Sequence, residues 1–508
     1  MGKYIQAARS RFGAAARSIA SMVGVHAASG DRRAAIGFHP DREPPAANPP
    51  AAPVGFFPAS PEQMARHKRP FQKQHPSAFR NFLRVKYELY TGKVEVRSRP
   101  YVLIVDPCDA CGLRCTTCPT GIENAGRRSR AAVPVQFRTR RLTMPAPLFE
   151  SLLDELGDEV FLILFFNFGE PLHNRQLPAF IRQAKARHIE TEIHTHLSLS
   201  LSDDMVQDLV DSGLDHLQAS IDGFTQEAYQ IHRVGGDIAR VKHNLERLVA
   251  ARDRLGADTC ITYSFLVFAH NEHEIPLAKA YCRKLGINFN ARDAFIDDPT
   301  WLPAHRVGEA PWTVPAEVRH LATQRVGWSP PVPLAAPAHW PRGCSWHYGY
   351  SVIQPGGQLA PCDAVSKEAF DMGTLVPDQG GFGAVWNNDA YRRARAHFAA
   401  AGGPGHDAAG PLCLRCPWPP FLRHLFSLND GKVLFNYHQT LRGRDPVLHE
   451  GFDRLCRVRF GLSLEEFVAR GEVHPMQELL VGHESPGETA DFVRFFEDHL
   501  DGDARPVG

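Results

Sequence analysis

Between residues 101 and 293 the chain alternates short apolar runs with longer amphipathic stretches. The runs lie at 101–105, 160–166, 191–195, 216–221, 259–267 and 287–293. Between them apolar residues recur at helical spacing over 147–156, 176–188, 203–212, 237–255 and 272–285. Asp203 and Asp237 stand where N-caps are expected, and Gly213, Gly256 and Gly286 stand where helices should stop. Strands alternating with helices predict parallel neighbours joined by crossovers. Six such units fall short of the eight that close a barrel, so the expected fold is α/β, an open partial (β/α)6 TIM-type barrel over 101–296.

The pattern changes on both sides. Residues 1–70 read as a basic, Pro/Ala-rich disordered tail and linker, with Pro and Ala crowded over 40–61 and ordered structure expected from near Phe71. Phe79, Phe82, Leu83, Tyr87 and Leu89 or Tyr90 fall near helical spacing and predict a lead-in helix within 71–100. After the barrel, residues 297–342 are rich in Pro, Trp and Ala and read as a linker. In 343–420 the alternation of Tyr348, Tyr350 and Val352 before the turn Pro355-Gly356-Gly357 predicts a β-hairpin, followed by a helix over 390–401. Residues 421–508 read as a helical extension, with a capping box at Ser463 and Glu466 and an apolar stripe of Phe492, Phe495, Phe496 and Leu500.

Composition adds bounds. The 508 residues are 43% hydrophobic and 22% charged, as in a globular protein of two or three domains, and no apolar run approaches the roughly 18 residues of a membrane span. A net charge of +1 hides an asymmetry, because residues 1–100 hold 17 Lys and Arg against 6 Asp and Glu. Those basic residues lie among Ala, Ser and Gly without interleaved aromatics, which argues against a nucleic-acid platform. The first acid is Asp31, a pattern shared with organellar transit peptides, but a ragged N-terminus is the simpler reading. Eleven cysteines in tight local groups point to metal in a reducing compartment, so a cytoplasmic location is expected.

The densest group is DPCDACGLRCTTCPTG at 106–121, directly after the first apolar run. Cys111, Cys115 and Cys118 form a C-x3-C-x2-C pattern, three soft thiolates that leave the fourth position of a metal centre to another ligand. A zinc site completed by Cys108 or a histidine finds no fitting C-x2-C or H-x3-H nearby. Cys260, Cys282 and Cys456 sit in apolar patterns and read as small core residues, and the histidines show no ligand spacing. Chemistry in such folds collects at the C-terminal ends of strands. There stand Asn167 to Pro171, His194 to Ser198, Ser220, Asp222, Gly223, His270, Asn271 and Asp293. Asp293, Asp297 and Asp363 are candidate acids or bases by position alone. Cys344, Cys362, Cys413 and Cys416 supply a second set of four thiols, open to a zinc ribbon or an iron-sulfur cluster.

The cysteine loop, Gly169-Glu170-Pro171 and Ser220-Ile221-Asp222-Gly223 together resemble the radical SAM (S-adenosylmethionine) enzymes. Phe168 replaces the first glycine of that family's GGEP motif, Thr117 stands where an aromatic or large apolar residue is usual, and His196 where an Asn is common. The resemblance implies an Fe4S4 cluster on Cys111, Cys115 and Cys118, with SAM on its fourth iron and cleaved to a 5′-deoxyadenosyl radical that abstracts hydrogen from an unactivated carbon. It further implies SAM contacts from Gly169, Glu170, Pro171, Ser220, Asp222 and Arg233, with Glu170 on the methionine ammonium. A one-electron donor such as flavodoxin or ferredoxin is implied as well. Cys344, Cys362, Cys413 and Cys416 resemble a SPASM or twitch extension holding one auxiliary Fe4S4 cluster, able to accept an electron from a substrate radical. The expected activity is oxidation or epimerisation of a sugar- or aminocyclitol-like metabolite. The alternatives are a maturase of a ribosomally synthesised peptide and a non-catalytic iron-sulfur or zinc-stabilised protein.

Overall fold

Runs such as VLIV at 102–105 can be buried on both faces only if both sides of the sheet are covered. The computed structural model describes residues 54–125, 142–294, 299–304, 344–363, 365, 368–399, 427–473 and 485–502. Asp297, Cys413 and Cys416 lie outside the described residues, as do most of the expected linkers. The strands are β1 (Gly55–Phe57), β2 (Val102–Val105), β3 (Leu162–Phe165), β4 (Glu190–Thr195) and β5 (His216–Ser220). They continue with β6 (Cys260–Val267), β7 (Asn288–Asp293), β8 (Tyr350–Ile353), β9 (Gln358–Ala360) and β10 (Gly373–Thr374). All belong to one open sheet in the order β1-β7-β6-β5-β4-β3-β2-β8-β9-β10. The six expected strands, β2 to β7, pair in parallel with their sequence neighbours.

Helices α1 (Pro61–His67), α2 (Pro76–Thr91) and α3 (Pro119–Asn124) precede the crossovers α4 (Ala146–Leu156), α5 (Leu177–Ala186) and α6 (Asp203–Asp211). Then come α7 (Gln226–His232), α8 (Ile238–Leu255) and α9 (Ile275–Leu285). Gly256 and Gly286 end α8 and α9 with φ of 60° and 62°, a left-handed conformation that costs a glycine little. Asp237 caps α8 by accepting from the Ala239 and Arg240 amides at 3.0 and 3.1 Å. Asp237→Ala should therefore lower stability by about 1 kcal/mol in urea unfolding, with a loss under a few tenths refuting the cap.

Two segments depart from the sequence reading. β1 and α1 lie inside the stretch read as linker: Gly55 to Phe57 pair antiparallel with Ala291 to Phe289, and Ser60 accepts from the Gln63 amide at 3.2 Å. Three residues on a sheet edge carry no readable period, so only the partner strand reveals them. The hairpin at 343–420 forms as expected, but it does not stand apart. β8 runs parallel to β2 in the register Val102↔Tyr350 to Val105↔Ile353, and β9 folds back antiparallel on β8. Helices α10 (Gly381–Trp386) and α11 (Asp389–Ala399) follow.

The C-terminal extension builds α12 (Ser427–Leu441), α13 (Pro446–Phe460), α14 (Leu464–Val473) and α15 (Pro486–His499). They close the end of the sheet where the strands begin. Tyr87 of α2 stacks on Phe496, with ring centroids 4.4 Å apart, and Phe79 meets Phe161, Tyr437 and Phe452 edge-on. Asp430 gathers Lys86 at 2.6 Å, the Tyr101 hydroxyl at 2.7 Å and Arg459 at 2.9 Å. Lys432 reaches Glu190, the first residue of β4, at 2.8 Å. This packing leaves the C-terminal strand ends for chemistry. Among the described residues no helix is long and apolar enough to cross a membrane.

Candidate active site

The loop after β2 is held by backbone hydrogen bonds to several other segments. The Glu170 amide donates to the Ala110 carbonyl at 2.9 Å, and the Arg114 and Thr116 amides donate to the Val234 and His232 carbonyls. Asn124 of α3 donates to the carbonyls of Cys111 and Leu113 at 2.8 and 2.9 Å. Two glycines permit the close approach: a Cβ at Gly121 would stand 2.4 Å from the Cys115 backbone, and one at Gly169 would stand 1.6 Å from the Cys108 carbonyl oxygen. Cys111, Cys115 and Cys118 are free thiols on this loop. Burial pushes the Cys115 thiol up to about 11, against the pull of the Arg233 guanidinium. The Cys111 thiol is driven up by burial and by Glu170. Arg233 Nη1 lies 3.8 Å from Cys115 Sγ, a cation facing the sulfur that would carry charge as a ligand.

Glu170 at the end of β3 is 1% exposed. Its Oε1 accepts from the Leu172 amide and the Thr195 hydroxyl at 3.2 and 2.6 Å, and its Oε2 from the His196 amide at 2.9 Å. A carboxylate offers about four acceptor positions. Three are thus used, two tying the loop after β3 to the β4 end and one held by the Leu172 amide of the same loop, and one on Oε2 stays open. His196 Nε2 lies 3.2 Å from Oε2, off line for a hydrogen bond.

Asp222, just past β5, holds a left-handed backbone with φ 60°. Its Oδ2 accepts from Arg233 Nε and Nη2 at 2.7 and 2.6 Å, and its Oδ1 from the Leu266 amide at 2.7 Å. Asn271 donates to the Asp222 carbonyl at 3.0 Å, binding the β6 end to the same point. Ser220 ends β5 opposite Ser264, and Asp293 ends β7 opposite Val267. The structure thus brings Cys115, Asp222 and Arg233 into direct contact and seats Gly169, Glu170 and Pro171 against the cysteine loop. The sequence gives no role to His232, whose Nδ1 lies 3.1 Å from the Thr116 hydroxyl, and does not show that Phe268, Trp301 and the strand-end residue His270 cluster beside it. No ligand spacing marks these residues, because three separate loops supply them.

Cys344 precedes β8 and Cys362 follows β9, so the hairpin carries both toward the end at which β2 begins, with Asp363 beside Cys362. The cysteine loop leaves the other end of β2. A four-residue strand spans roughly 13 Å, which separates the two thiol sets. Asp363 is therefore placed with the second set and away from the mouth.

Asp106, at the base of the loop, is wholly buried and accepts from the Phe168 amide at 3.2 Å. Burial above all pushes its carboxyl up to about 7. The folded state then holds a proton that the unfolded chain releases near its ordinary value of about 4, so stability should fall as pH rises from about 4 to 7. Relative to Asp106→Asn, the native protein should lose about 2–3 kcal/mol between pH 5 and pH 8, read from urea unfolding at each pH. A difference independent of pH would remove the buried carboxyl as its source.

An open parallel β/α sheet with a three-thiol loop past its first barrel strand defines an iron-sulfur enzyme of the partial-barrel type. The Radical SAM superfamily profile matches residues 105–278, and the profile of SPASM, an iron-sulfur cluster-binding domain, matches 344–417. The chain therefore carries a radical SAM domain and a SPASM iron-sulfur domain. A probable GTP 3′,8-cyclase of Methanococcus maripaludis is 32% identical over 118 residues, 23% of this chain. The chain spans only 38% of that relative's length. The PqqA peptide cyclase of Granulibacter bethesdensis is 24% identical over 276 residues, covering 52% of this chain and 68% of the relative. The mycofactocin maturase MftC of Mycobacterium ulcerans is 25% identical over 305 residues, covering 58% and 77%. The radical SAM domain implies a 4Fe-4S cluster with SAM, and the SPASM domain implies auxiliary iron-sulfur clusters. The residues present fit the first of these: three convergent soft thiols, a facing guanidinium and a glycine-walled cradle.

Proposed function

We propose that the chain is a SPASM-type maturase that modifies a ribosomally synthesised peptide by removing hydrogen from an unactivated carbon. The observation that carries this reading is the extent of the matches. Those to a peptide cyclase and a maturase run over more than half of the chain, whereas that to the GTP cyclase covers under a quarter. A peptide therefore replaces the sugar-like metabolite as the favoured substrate, and the radical SAM domain, that of an enzyme superfamily, sets aside the non-catalytic reading.

When bound, the cluster and SAM supply reductive cleavage of the sulfonium and a 5′-deoxyadenosyl radical. Cys111, Cys115 and Cys118 hold the iron in this reading, and Arg233 balances the charge at Cys115. Gly169 to Pro171, seated against the cysteine loop, would line the SAM site, and the remaining acceptor position of Glu170 would receive the ammonium of SAM. Asp222 and Ser220 frame the opposite side of the mouth. Cys344, Cys362, Cys413 and Cys416 hold the auxiliary iron. The near-complete burial of Cys115 and Glu170 keeps water from the reacting centre.

The test is anaerobic reconstitution with iron and sulfide, a chemical reductant and short peptides encoded beside the gene. The expected result is 5′-deoxyadenosine formed together with a peptide lighter by two hydrogens. Turnover of an aminocyclitol with every peptide left unchanged would overturn the reading.

A further inference from the structure

A second group of metal-binding side chains lies at the opposite end of the sheet from the cysteine loop. His67 ends α1, His216 opens β5 and Cys260 opens β6, and β5 and β6 pair these two directly in register. One nitrogen from each ring and Cys260 Sγ all lie within 4.8 Å of one another. His67 is held there by the Phe56 ring, stacked on it at 4.0 Å.

The surroundings of the three donors are those of a ligand set. His67 Nδ1 is buried with no hydrogen-bond partner, a polar atom that a ligand would satisfy. His216 Nε2 lies 3.1 Å from Glu190 Oε1, and its ring is also hydrogen-bonded to Cys260, a contact that a shared metal would replace; a carboxylate on one nitrogen is the usual support of a metal-bound histidine. Asn288 Nδ2 lies 3.2 Å from Cys260 Sγ and can donate to it as a thiolate. Lys432, the nearby cation, is paired with Glu190 at 2.8 Å.

We propose that His67, His216 and Cys260 bind a zinc ion that pins the segment carrying β1 and α1 to the floor of the barrel. Two imidazoles and one thiolate are a borderline-soft set suited to zinc, and three protein donors leave one tetrahedral position. The site is independent of the peptide reading, since it lies away from the mouth and uses none of its residues.

The test uses the full chain with its iron-sulfur clusters reconstituted, incubated with zinc and dialysed against a weak chelator. Elemental analysis should find about one retained zinc per chain, with mixed scatterers at about 2.0 Å for nitrogen and 2.3 Å for sulfur in zinc-edge absorption. Cys260→Ala and His67→Gln should each lose that zinc and leave iron content unchanged. Absence of zinc from the native chain, an all-sulfur shell, or undiminished zinc in both variants would overturn the site. The native chain decides alone if a variant does not fold.

Discussion

Replacing Cys115 with alanine is expected to abolish SAM cleavage while the chain stays folded. Cys115 is 5% exposed, is faced by Arg233 and sits on a loop whose backbone is tied to three other segments. The side chain removed is small, so the fold loses little packing. The cluster loses one of its three proposed ligands, and the Cys108 thiol that could replace it is already engaged by the Thr143 hydroxyl at 3.7 Å. Reconstituted protein should hold about four fewer irons per chain. Formation of 5′-deoxyadenosine should drop by more than about 100-fold, beyond the 10- to 100-fold typical of losing an outer partner of a metal ligand. A variant with native iron content and unaltered cleavage would sink the assignment of the loop.

Asp222→Ala should cost about 3–5 kcal/mol, because it leaves the Arg233 guanidinium buried without its counter-ion. Asp222 is fully buried and the Arg233 side chain is 14% exposed, so solvent cannot stand in for the lost carboxylate. The Leu266 amide loses its acceptor as well. Asp222→Asn separates the two effects: an amide oxygen can still accept from Leu266, and asparagine tolerates the left-handed backbone, but the charge is gone. Urea unfolding should order the variants as alanine below asparagine below native. A loss under about 1 kcal/mol for alanine would mean that the pair behaves as an exposed one. Arg233 also reaches Cys115, so SAM cleavage should fall in both variants even where the fold persists.

The parts legible in sequence are those whose signals are local. The six runs from 101 to 293 show apolar residues in lengths that suit buried strands, and Gly256 and Gly286 mark stops that the backbone takes. The cysteine loop is legible because its three thiols must come from one short segment. Asp222 is legible as a strand-end residue and Arg233 only through the family resemblance, but their partnership is not legible. The resemblance implies a SAM contact for Arg233, and the structure adds that its guanidinium bridges Asp222 and Cys115. Likewise Glu170 is expected on an ammonium, and the sequence does not show that three of its acceptor positions also serve Leu172, Thr195 and His196.

The sequence by itself determined the alternating β/α order, the helix stops, and the loop of Cys111, Cys115 and Cys118, because each follows from residues within one turn, strand or loop. Only the tertiary structure decided that β1 closes against β7, that β8 continues the sheet beside β2, and that His67 meets His216 and Cys260. Edge pairing is made by backbone hydrogen bonds that ask little of the side chains. A cluster drawn from positions 67, 216 and 260 exists only where three distant segments converge, so no spacing along the chain announces it.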